Sequence, residues 1–352
     1  MKPLQMPMFS PETEWVPPLS LPDLKEYSEI AIDLETRDPN LMTMGSGAIR
    51  GDGEVVGIAV AVEGWKGYFP IAHEAGGNMD RALVLDWFEE VLHTPATKIF
   101  HNAMYDVSWI RSLGFQINGG IIDTMIASSL VDENRWSFTL DSMSKQYVGM
   151  GKNEKTLAEA AKAWGVNPKA EMWRLPAPLV GEYAERDAEV TLKLWHAMKH
   201  ELTQQELWDV FNLETNLFPC LVDMKFKGVR VDLDQAEILK KDLNKQEKII
   251  HQKIEKLSGF PIEIYAATSI AKAFDKLKMP YDRTDKGAPS FTKNFLATHP
   301  HELPKLINEA REVNKASSTF IDTILKHAHK GRIHSDINQI RSDDGGTVTG
   351  RF

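Results

Sequence analysis

Residues 31–36 read AIDLET, and this stretch places two acids in what otherwise has the pattern of a buried strand. The run EYSEI precedes it, and the turn-forming run RDPN follows it. Because strand side chains alternate between faces, Asp33 and Glu35 point the same way. Two neighbouring carboxylates repel each other unless a cation or a shared proton lies between them. The stretch therefore predicts a strand end that carries a charged site.

The site lies on the first of three predicted strands. EIAIDLE (29–35), GEVVGIAVAVE (53–63) and WKGYFPI (65–71) are rich in β-branched and aromatic residues, with glycine-containing turn signals between them. The pattern then changes to helical spacing in MDRALVLDWFEEVLHT (79–94), and TKIF (97–100) is a further short strand. Hairpin-linked strands followed by alternating helix and strand predict an α/β domain with a mixed sheet.

Helical patterns dominate the rest of the chain. In the first part they are HNAMYDVSWIRSLG (101–114), IIDTMIASSLVDE (121–133), SFTLDSMSKQYVG (137–149) and LVGEYAERDAEVTLKLWHAMKHEL (179–202). Further on they are a helix ended by Gly228, a long one that begins after Asp232, and the stretches 269–279 and 302–331. The long helix would span roughly 40 Å. We predict an N-terminal extension (1–26), an α/β domain (27–204) and a mainly helical region (205–352).

The composition is that of a globular protein without a disulfide framework. Of the 352 residues, 42% are hydrophobic and 26% are charged, which allows two domains. The single cysteine, Cys220, excludes an internal disulfide, and we expect it to be buried. The N-terminus lacks the apolar core of a signal peptide, and no stretch has the ~20 apolar residues of a membrane helix. We expect a soluble cytoplasmic protein without membrane contacts.

The net charge of −9 is unevenly distributed. Residues 1–200 hold 18 Lys and Arg against 28 Asp and Glu, and residues 201–352 hold 23 against 22. An acidic first half disfavours a nucleic-acid groove there, unless some of the acids hold metal ions. The lysines of the second half, such as those between Lys240 and Lys256, suit a phosphate-facing surface better, although for any single lysine a solvated helix face is the better explanation.

Three short patterns place polar groups at regular spacing. In chain order they are Asp33 with Glu35 on a strand, Asn102 with Asp106 on a helix, and Tyr183 with Asp187 on a later helix. The two helical pairs stand at i and i+4 and hence on one helix face. Taken singly, each pattern fits an ordinary role, such as a solvated acid pair, a capping asparagine, or a surface aspartate beside a core tyrosine.

Taken together, the three patterns indicate a metal site. Each lies on an element that can face a common point, where four converging acids would repel one another without cations. Magnesium and manganese prefer oxygen ligands and often retain water and substrate phosphate. Two such ions roughly 3.5–4 Å apart stabilise the attacking and leaving oxygens of a displacement at phosphorus. Tyr183 would orient the attacking water through its hydroxyl.

The motifs DLET (33–36), HNAMYD (101–106) and YAERDAEVT (183–191), in this order and spacing, resemble those of the DEDDy-type 3′–5′ exonucleases of the ribonuclease H-like fold. The resemblance covers residues 27–200. It implies two divalent ions, Mg²⁺ or Mn²⁺, as cofactors. The catalytic residues that it implies are the metal-binding acids Asp33, Glu35, Asp106 and Asp187 and the water-orienting Tyr183, and it places Thr36 and Asn102 near the DNA strand.

The second half resembles the opening of the polymerase region in family A DNA polymerases, the bacterial polymerase I type. ETNLFPCLVDMKFKGVRVD (214–232), the long helix, residues 311–339 and TVTGRF (347–352) are similar to the thumb and early palm segments. This resemblance implies that Arg311, Lys315 and Arg351 bind the primer–template. The fingers, the catalytic aspartates of the palm and the nucleotide-binding helix of that family lie beyond Phe352.

The resemblance implies a proofreading 3′–5′ DNA exonuclease that is the N-terminal part of a family A DNA polymerase and does not polymerise alone. We expect a second chain to supply the fingers and palm if the gene or an intein is split, whereas a shortened chain would simply lack them. The absence of a preceding 5′-nuclease domain favours a phage source. Its DNA partner would be a single-stranded 3′ end or a primer–template.

Two other functions fit the same fold. A stand-alone exonuclease of the ribonuclease D kind would act on RNA 3′ ends, but the thumb-like motifs disfavour it. A non-catalytic DNA-binding or assembly subunit is disfavoured because all four acids are present. Secondary candidates have structural explanations: His101 as substrate contact or as a satisfied histidine, His327, His329 and His334 as surface residues, and Trp109, Trp136, Trp173 and Trp195 as packing groups.

Overall fold

The computed structural model describes residue 7, residues 11–151 and residues 155–340. Contacts divide the described residues into two units, one that joins those up to Lys227 with residues 335–340, and one formed by Gly228–His334. The helix before Lys227 packs with the first unit, although the sequence places residues from 205 onward in the second domain. The predicted domain boundaries describe a family resemblance rather than packing, and they stay a prediction.

A five-stranded mixed sheet forms the centre of the first unit, in the order β3-β2-β1-β4-β5. β1 pairs antiparallel with β2 and β2 with β3, whereas β4 and β5 continue parallel to β1. The strands are β1 (Glu29–Arg37), β2 (Glu54–Val62), β3 (Trp65–Pro70), β4 (Thr97–Phe100) and β5 (Ile121–Asp123). The mixed sheet confirms the α/β prediction. A tight hairpin joins β2 to β3, whereas residues 38–53 connect β1 to β2.

Helices cover both faces of this sheet. They are α1 (Leu41–Met44), α2 (Gly47–Arg50), α3 (Arg81–His93), α4 (Ala103–Ser112), α5 (Thr124–Val131), α6 (Leu140–Tyr147), α7 (Lys155–Trp164), α8 (Pro178–Gln204) and α9 (Trp208–Lys227), with a 3₁₀ turn at Met172–Arg174. Polar side chains begin several of them: Asp80 accepts from two amides of α3, and Thr139 accepts from the amide of Ser142 in α6.

The two faces of the sheet differ in side-chain size. Large residues such as Ile32, Phe69 and Phe88 fill the face covered by α3 and α4. The opposite face carries small residues in β1 and β2, including Ala31 and Ala59, packed against α5, α6 and α8. Small side chains let a helix approach a sheet closely. Because strand residues alternate, this small-residue face is also the one that carries Asp33 and Glu35.

One predicted helix begins later than its sequence suggests. The stretch 121–133 has helical spacing, yet Ile121–Asp123 forms β5, parallel to β4, and α5 begins only at Thr124. The side chain of Asp123 accepts a hydrogen bond from the amide of Met125 and so caps α5. Short apolar runs before a capping residue fit either a strand or a helix, and here pairing with β4 decides.

The second unit is mainly helical. Its helices are α10 (Leu233–Ser258), α11 (Ala267–Lys276), α12 (Lys293–Thr298), α13 (Glu302–Asn314) and α14 (Asp322–His327), and its short strands are β6 (Val229–Arg230), β7 (Asp282–Arg283), β8 (Pro289–Ser290) and β9 (Arg332–Ile333). α10 starts after Asp232, whose side chain caps it, and ends at Gly259 in the left-handed region, as predicted. A core around Ile254, Phe274 and Ile307 joins the helices.

The predicted helix over residues 302–331 is interrupted. A π-helical segment, Lys315–Ile321, follows α13 and leads into α14. Here the hydroxyl of Ser318 donates to the carbonyl of Asn314, and that of Ser317 donates to Asn244 of α10. Serine hydroxyls that bind backbone carbonyls compete with the regular helical ladder.

Within the part of the chain that the structure describes, no helix is long and apolar enough to cross a membrane.

Several single-residue expectations are wrong. Cys220 is exposed rather than buried, and Trp136 is 88% exposed rather than a packing group. The other three tryptophans considered are buried, as expected. His327, His329 and His334 are each half-buried, and the rings of His329 and His334 contact each other.

Candidate active site

The end of β1 holds the first two predicted site residues. Asp33 lies opposite Ala59 and Glu35 opposite Gly57 in the pairing with β2. The pairing register shifts between Glu35 and Thr36, a β-bulge that re-aims the chain beyond the acids. Asp33 is half-buried and Glu35 is 8% exposed. The two carboxylates therefore lie on one strand face, as the alternation predicts, and α8 packs against that face.

The start of α4 is fixed by an aspartate that the sequence analysis did not single out. Asn102 precedes α4 in the left-handed region, with φ of 68°, a conformation that is unusual for a residue with a side chain. The carboxylate of Asp123 accepts from the backbone amides of Asn102 at 3.0 Å and Ala103 at 2.8 Å. These bonds stabilise the turn between β4 and α4, and they place Asp106 in the first turn of the helix.

Asp106 lies directly against β1. Its side chain is 4% exposed, and Oδ1 accepts a hydrogen bond from the backbone amide of Leu34 at 2.9 Å. Leu34 is the residue between Asp33 and Glu35. Burial raises the pKa of Asp106 well above its ordinary value, and the neighbouring charge of Asp33 raises it further. Two of the predicted acids are therefore close enough to repel each other.

The third pattern lies on α8. Asp187 is 2% exposed and Tyr183, one turn earlier, is half-buried. Burial raises the pKa of Tyr183, and its hydroxyl is hydrogen-bonded to the carboxylate of Asp187. The charges of Glu35 and Asp33 raise the pKa of Tyr183 in the same direction. The tyrosine thus lies within electrostatic reach of acids on both α8 and β1.

The five residues predicted as catalytic are linked to one another in pairs, by a hydrogen bond or by electrostatic interaction. The contacts described above link β1 to α4 through Asp106 and β1 to α8 through Tyr183. Three elements that are far apart in the sequence therefore contribute carboxylates to one buried region. Because no basic side chain is among these five residues, their negative charges repel one another.

The donor set fits a hard divalent cation. Within residues 11–151 and 155–340, no three Asp, Glu, His or Cys side chains are already arranged as ligands around one metal position. The residues do offer oxygen donors only, which is the chemistry that Mg²⁺ and Mn²⁺ prefer. The raised pKa of Asp106 shows a site in which negative charge is costly. A bound cation would relieve that cost.

The predicted DNA-binding residues of this unit adjoin the acids. The hydroxyl of Thr36, the residue after Glu35, is hydrogen-bonded at 2.5 Å to the hydroxyl of Tyr105, the residue before Asp106. Asn102 and Tyr105 also line a cavity of about 410 Å³. Its other lining residues are Leu41, Met42, Ser46, Met104, Asp123, Met125, Ile126, Phe218, Lys225 and Asp336–Ile340. The lining of this cleft combines apolar side chains with polar ones.

His101 is satisfied within the protein. Its Nε2 donates to the carbonyl of Phe138 at 2.9 Å, and its Nδ1 is hydrogen-bonded to the hydroxyl of Thr124 at 2.8 Å. Of the two explanations left open by the sequence, these contacts favour a structural histidine over a substrate contact.

The predicted DNA-binding residues of the second unit differ in their surroundings. Arg311 donates from Nε to the carbonyl of Ile264 and from Nη1 to that of Phe291, at 2.7 and 3.0 Å. Its guanidinium therefore already stabilises the packing of this unit. Lys315 is exposed, with Nζ 5.9 Å above the ring of Phe320. Arg351 and the TVTGRF motif lie outside the described residues.

Two further residues near the acids gave no signal in the sequence. Tyr68 of β3 and His73 after it are fully buried polar groups, hydrogen-bonded to each other at 2.7 Å. Neither falls within a recurring spacing of acids, so the sequence gives no signal for them. Asp123 gives none either, because it lies inside the helical pattern of residues 121–133, and only the structure shows that it ends β5 and caps α5.

Two protein-family profiles match the chain. A sequence profile described as 3′–5′ exonuclease matches residues 20–203, and one described as DNA polymerase family A matches residues 233–352. The first match spans both the strand and the helices that carry the acids. The second covers most of the helical unit.

Individual relatives extend the same similarity. The chain is 32% identical to a DNA-directed DNA polymerase of Pseudomonas phage M6, over 96% of this chain and 53% of that protein. It is 29% identical to the DNA polymerase DpoZ of Acinetobacter phage SH-Ab 15497, over 95% and 55%, and 28% identical to DNA polymerase I of Pseudomonas aeruginosa, over 91% and 35%. The chain thus spans about half the length of the phage relatives.

A solved structure shares the fold. The POL domain of Pol1 from M. smegmatis, in complex with DNA primer-template and dNTP, matches with a TM-score of 0.68 and 19% sequence identity. The match covers 90% of this chain and 50% of that one. At this identity the likeness concerns the fold alone.

Proposed function

The chain belongs to the 3′–5′ exonucleases of family A DNA polymerases, and from this membership we propose that it hydrolyses phosphodiester bonds at DNA 3′ ends. One observation carries the proposal: buried carboxylates from β1, α4 and α8 act on each other and on Tyr183 electrostatically. The family implies a general dependence on divalent metal ions. We propose Asp33, Glu35, Asp106 and Asp187 as the residues that hold them.

Each proposed residue has a separate task. The four carboxylates would bind the cations and thereby stop repelling one another. Two Mg²⁺ or Mn²⁺ ions, when bound, would stabilise the charge on the attacking and leaving oxygens. Tyr183, whose pKa is raised, keeps its proton at neutral pH and so can orient a water molecule by a hydrogen bond. Thr36, Asn102 and the adjoining cleft would hold the last nucleotides of the strand.

The experiment is a nuclease assay on 5′-labelled single-stranded DNA and on RNA of the same sequence, with magnesium. We expect stepwise shortening from the 3′ end of DNA, and loss of activity in the double variant Asp33→Ala plus Glu35→Ala. The matched control removes two exposed acids of α3, Asp86→Ala plus Glu90→Ala, and should keep full activity. Shortening that persists in the double variant, or that is faster on RNA, would contradict the proposal.

We further propose that the protein proofreads for a family A polymerase whose fingers and catalytic palm lie outside this chain. The proposal rests on the relatives, of which this chain matches about half. In that case Lys315, Arg311 and Arg351 would contact the primer–template backbone, and this chain alone would not extend a primer when nucleotides are added.

The partner that we propose is a second chain carrying the fingers and palm. Co-expression with a polymerase C-terminal half from the same genome should yield a complex that copurifies and extends primers. Failure of the two chains to associate, together with primer extension by this chain alone, would overturn the proposal.

A further inference from the structure

Tyr68 and His73 form a buried hydrogen-bonded pair beneath the acid-bearing end of β1. Tyr68 is 0% exposed and His73 is 3% exposed. The Tyr68 hydroxyl lies 2.7 Å from His73 Nε2, and His73 Nδ1 lies 2.9 Å from the backbone carbonyl of Leu175. A polar chain therefore runs from β3 to the segment immediately before α8.

The direction of these hydrogen bonds follows from the groups involved. A carbonyl only accepts, so Nδ1 of His73 carries the proton and donates to Leu175. Nε2 is then the acceptor, and the Tyr68 hydroxyl must donate to it. The backbone of His73 is held as well, because Asn78 accepts from its amide at 2.7 Å and donates to its carbonyl at 2.9 Å. The tautomer and the ring position are thus both determined.

The loop that carries His73 is bonded to the segment before α8 at several further points. The amide of Glu74 donates to the carbonyl of Trp173 at 2.9 Å, and the amide of Ala177 donates to that of Gly76 at 3.0 Å. Arg174 Nε donates to the Glu74 carboxylate at 2.9 Å. Residues 73–76 and 173–177 therefore form one paired unit, which we call the α8 anchor.

The anchor reaches the acids through Gly57. A Cβ atom added to Gly57 would lie 2.0 Å from the Tyr68 hydroxyl oxygen, so the hydroxyl occupies the space that a side chain would need. Gly57 is the residue paired with Glu35. The Tyr68 hydroxyl therefore lies on the same face of the sheet as the carboxylates of Asp33 and Glu35.

We infer that Tyr68 and His73 are positioning residues for the active site. Through Leu175 they set where α8 begins relative to β1, and hence where Tyr183 and Asp187 stand relative to Asp33 and Glu35. They do not touch the substrate in this role. The inference rests on the proposed exonuclease function and adds residues that the motifs do not contain. Groups that orient metal ligands commonly change affinity or activity by about 10- to 100-fold when they are removed.

Three variants test the inference in the full chain. Tyr68→Phe removes only the hydroxyl, and His73→Leu removes both ring contacts. His73→Gln restores them, because its amide can donate to Leu175 and accept from Tyr68. The matched control is Ser128→Ala, which removes another buried hydroxyl of the same unit, one that donates to the Thr124 carbonyl within α5.

Two measurements distinguish positioning from a loss of folding. The first is Mn²⁺ binding, followed by the electron paramagnetic resonance signal of free Mn²⁺; the second is steady-state DNA hydrolysis with kcat and KM determined separately. For Tyr68→Phe and His73→Leu we expect Mn²⁺ binding about 10-fold weaker and kcat at least about 10-fold lower, with KM within about twofold of wild type. His73→Gln should recover most of both losses, and Ser128→Ala should change neither.

The outcomes separate the inference from the function on which it rests. If wild type degrades DNA, Asp33→Ala plus Glu35→Ala does not, and Tyr68→Phe matches wild type in Mn²⁺ binding and kcat, the positioning role is wrong and the exonuclease remains. Equal losses in His73→Gln and His73→Leu would also overturn it. If wild type itself fails to degrade DNA, the proposed function fails first.

Discussion

Asp106 accepts a stabilising hydrogen bond from Leu34 while lying next to the like charge of Asp33. An asparagine at this position can keep the hydrogen bond through its amide oxygen and removes the charge. Functional groups that repel one another are a common reason why active sites lower the stability of the fold. Asp106 is therefore a residue at which stability and activity should change in opposite directions.

We expect Asp106→Asn to raise the free energy of unfolding, measured with urea in the presence of a chelator, by about 1 kcal/mol. The same variant should lose activity by at least about 100-fold. Asp123→Asn is the informative control, because Asp123 holds two amides and its substitution should lower stability. A drop in the stability of Asp106→Asn would show that its charge does not destabilise the fold.

Adding Mn²⁺ should make wild type more stable than Asp106→Asn, the reverse of the order expected with a chelator. Wild type gains stability from any ion that binds only the folded state, in proportion to the logarithm of ion concentration. Asp106→Asn should gain less, because it has lost one oxygen ligand and its charge. Equal gains in both proteins would argue against Asp106 as a metal ligand.

Protonation of His73 makes the free energy of unfolding depend on pH. Burial lowers its pKa to about 4, against about 6.5 in an unfolded chain. Between these values the unfolded chain binds a proton that the folded chain does not, so the free energy of unfolding rises with pH. The contribution of neutral His73 is present above pH 6.5 and is lost as the pH falls towards 4, by up to about 3 kcal/mol.

The measurement is urea unfolding at pH 4, 5, 6 and 7 for wild type and His73→Gln. The glutamine does not titrate, so the difference between the two proteins isolates the histidine from the carboxylates that titrate in the same range. We expect wild type to lose more stability on acidification. Parallel curves for the two proteins would indicate that His73 has the same pKa in the folded and the unfolded chain.

The sequence predicts the acids of the site better than the residues that position them. Asp33, Glu35, Asp106, Tyr183 and Asp187 stand out by their strand and helix spacing, and pairwise interactions link them in the structure, while their catalytic roles stay a prediction. Tyr68 and His73 could not be predicted, because their function depends on a backbone carbonyl about a hundred residues away. A hydrogen bond to a backbone carbonyl imposes no pattern on the sequence around its acceptor.

Among the secondary-structure elements, α8 is fixed by side-chain contacts in both its first and its second half. Near its C-terminal half, Glu29 of β1 accepts hydrogen bonds from Trp195, His196 and Lys199. Near its start, Trp15 of the N-terminal segment donates from Nε1 to Glu185 at 2.9 Å. The indole lies directly over Gly181, where an added Cβ would be 2.2 Å from ring carbons. α8 is thus enclosed between the sheet and the N-terminal segment.

We predict that Gly181→Ala destabilises the protein. Alanine in a helix normally stabilises by about 1 kcal/mol relative to glycine. Here the methyl group meets the indole, and overpacking of this kind costs about 1–3 kcal/mol. The net loss should appear as a lower midpoint in urea unfolding.

The double-mutant cycle provides the control. When Trp15 is replaced by Ala, the space over Gly181 is free, so adding Gly181→Ala should then stabilise by about 0.5–1 kcal/mol. The same sign for Gly181→Ala in both backgrounds would contradict the close approach of the indole.

Elements with strong periodicity are predicted well, and elements defined by their neighbours are not. β1 to β4 and α10 agree with the sequence, since alternation, capping residues and a terminal glycine mark them. β5 was missed because three residues paired to β4 carry no strand pattern of their own. The π-helical segment was missed because it depends on serine hydroxyls that bind α10 and the preceding turn.

Over the whole molecule, charge separates the two halves of the chain, and α10 holds six of the 23 Lys and Arg in residues 201–352. Lys241, Lys245 and Lys248 are exposed and, at spacings of four and three residues, share one face of that helix. These three lysines form an exposed basic face on α10. Lys240, next to them, is paired with Asp322 at 2.7 Å.

We expect the triple substitution of Lys241, Lys245 and Lys248 by Gln to weaken DNA binding and to reduce its salt dependence. Each phosphate contact contributes about 0.7 to the slope of log affinity against log salt for single strands, so the slope should fall by about 2. Fluorescence anisotropy between 50 and 200 mM salt provides the measurement. Lys155, Lys162 and Lys169, changed to Gln together, are a control with equal charge change.

An unchanged slope in the α10 triple variant would show that this face does not contact DNA. A reduced slope in the control would show only a general charge effect.

The position of the domain boundary also stays a prediction. The family resemblance ends the first domain at residue 204, whereas packing places the division after Lys227.

The contact between Trp15 and Gly181 has a practical consequence for anyone who wishes to express the nuclease portion alone. A polypeptide cut at residue 27, where the family resemblance begins, would lose the indole and leave an uncovered groove along the helix that bears the tyrosine. Such a fragment would be prone to aggregate. Starting the fragment ahead of Glu12 would keep the covering segment and its bond to Glu185.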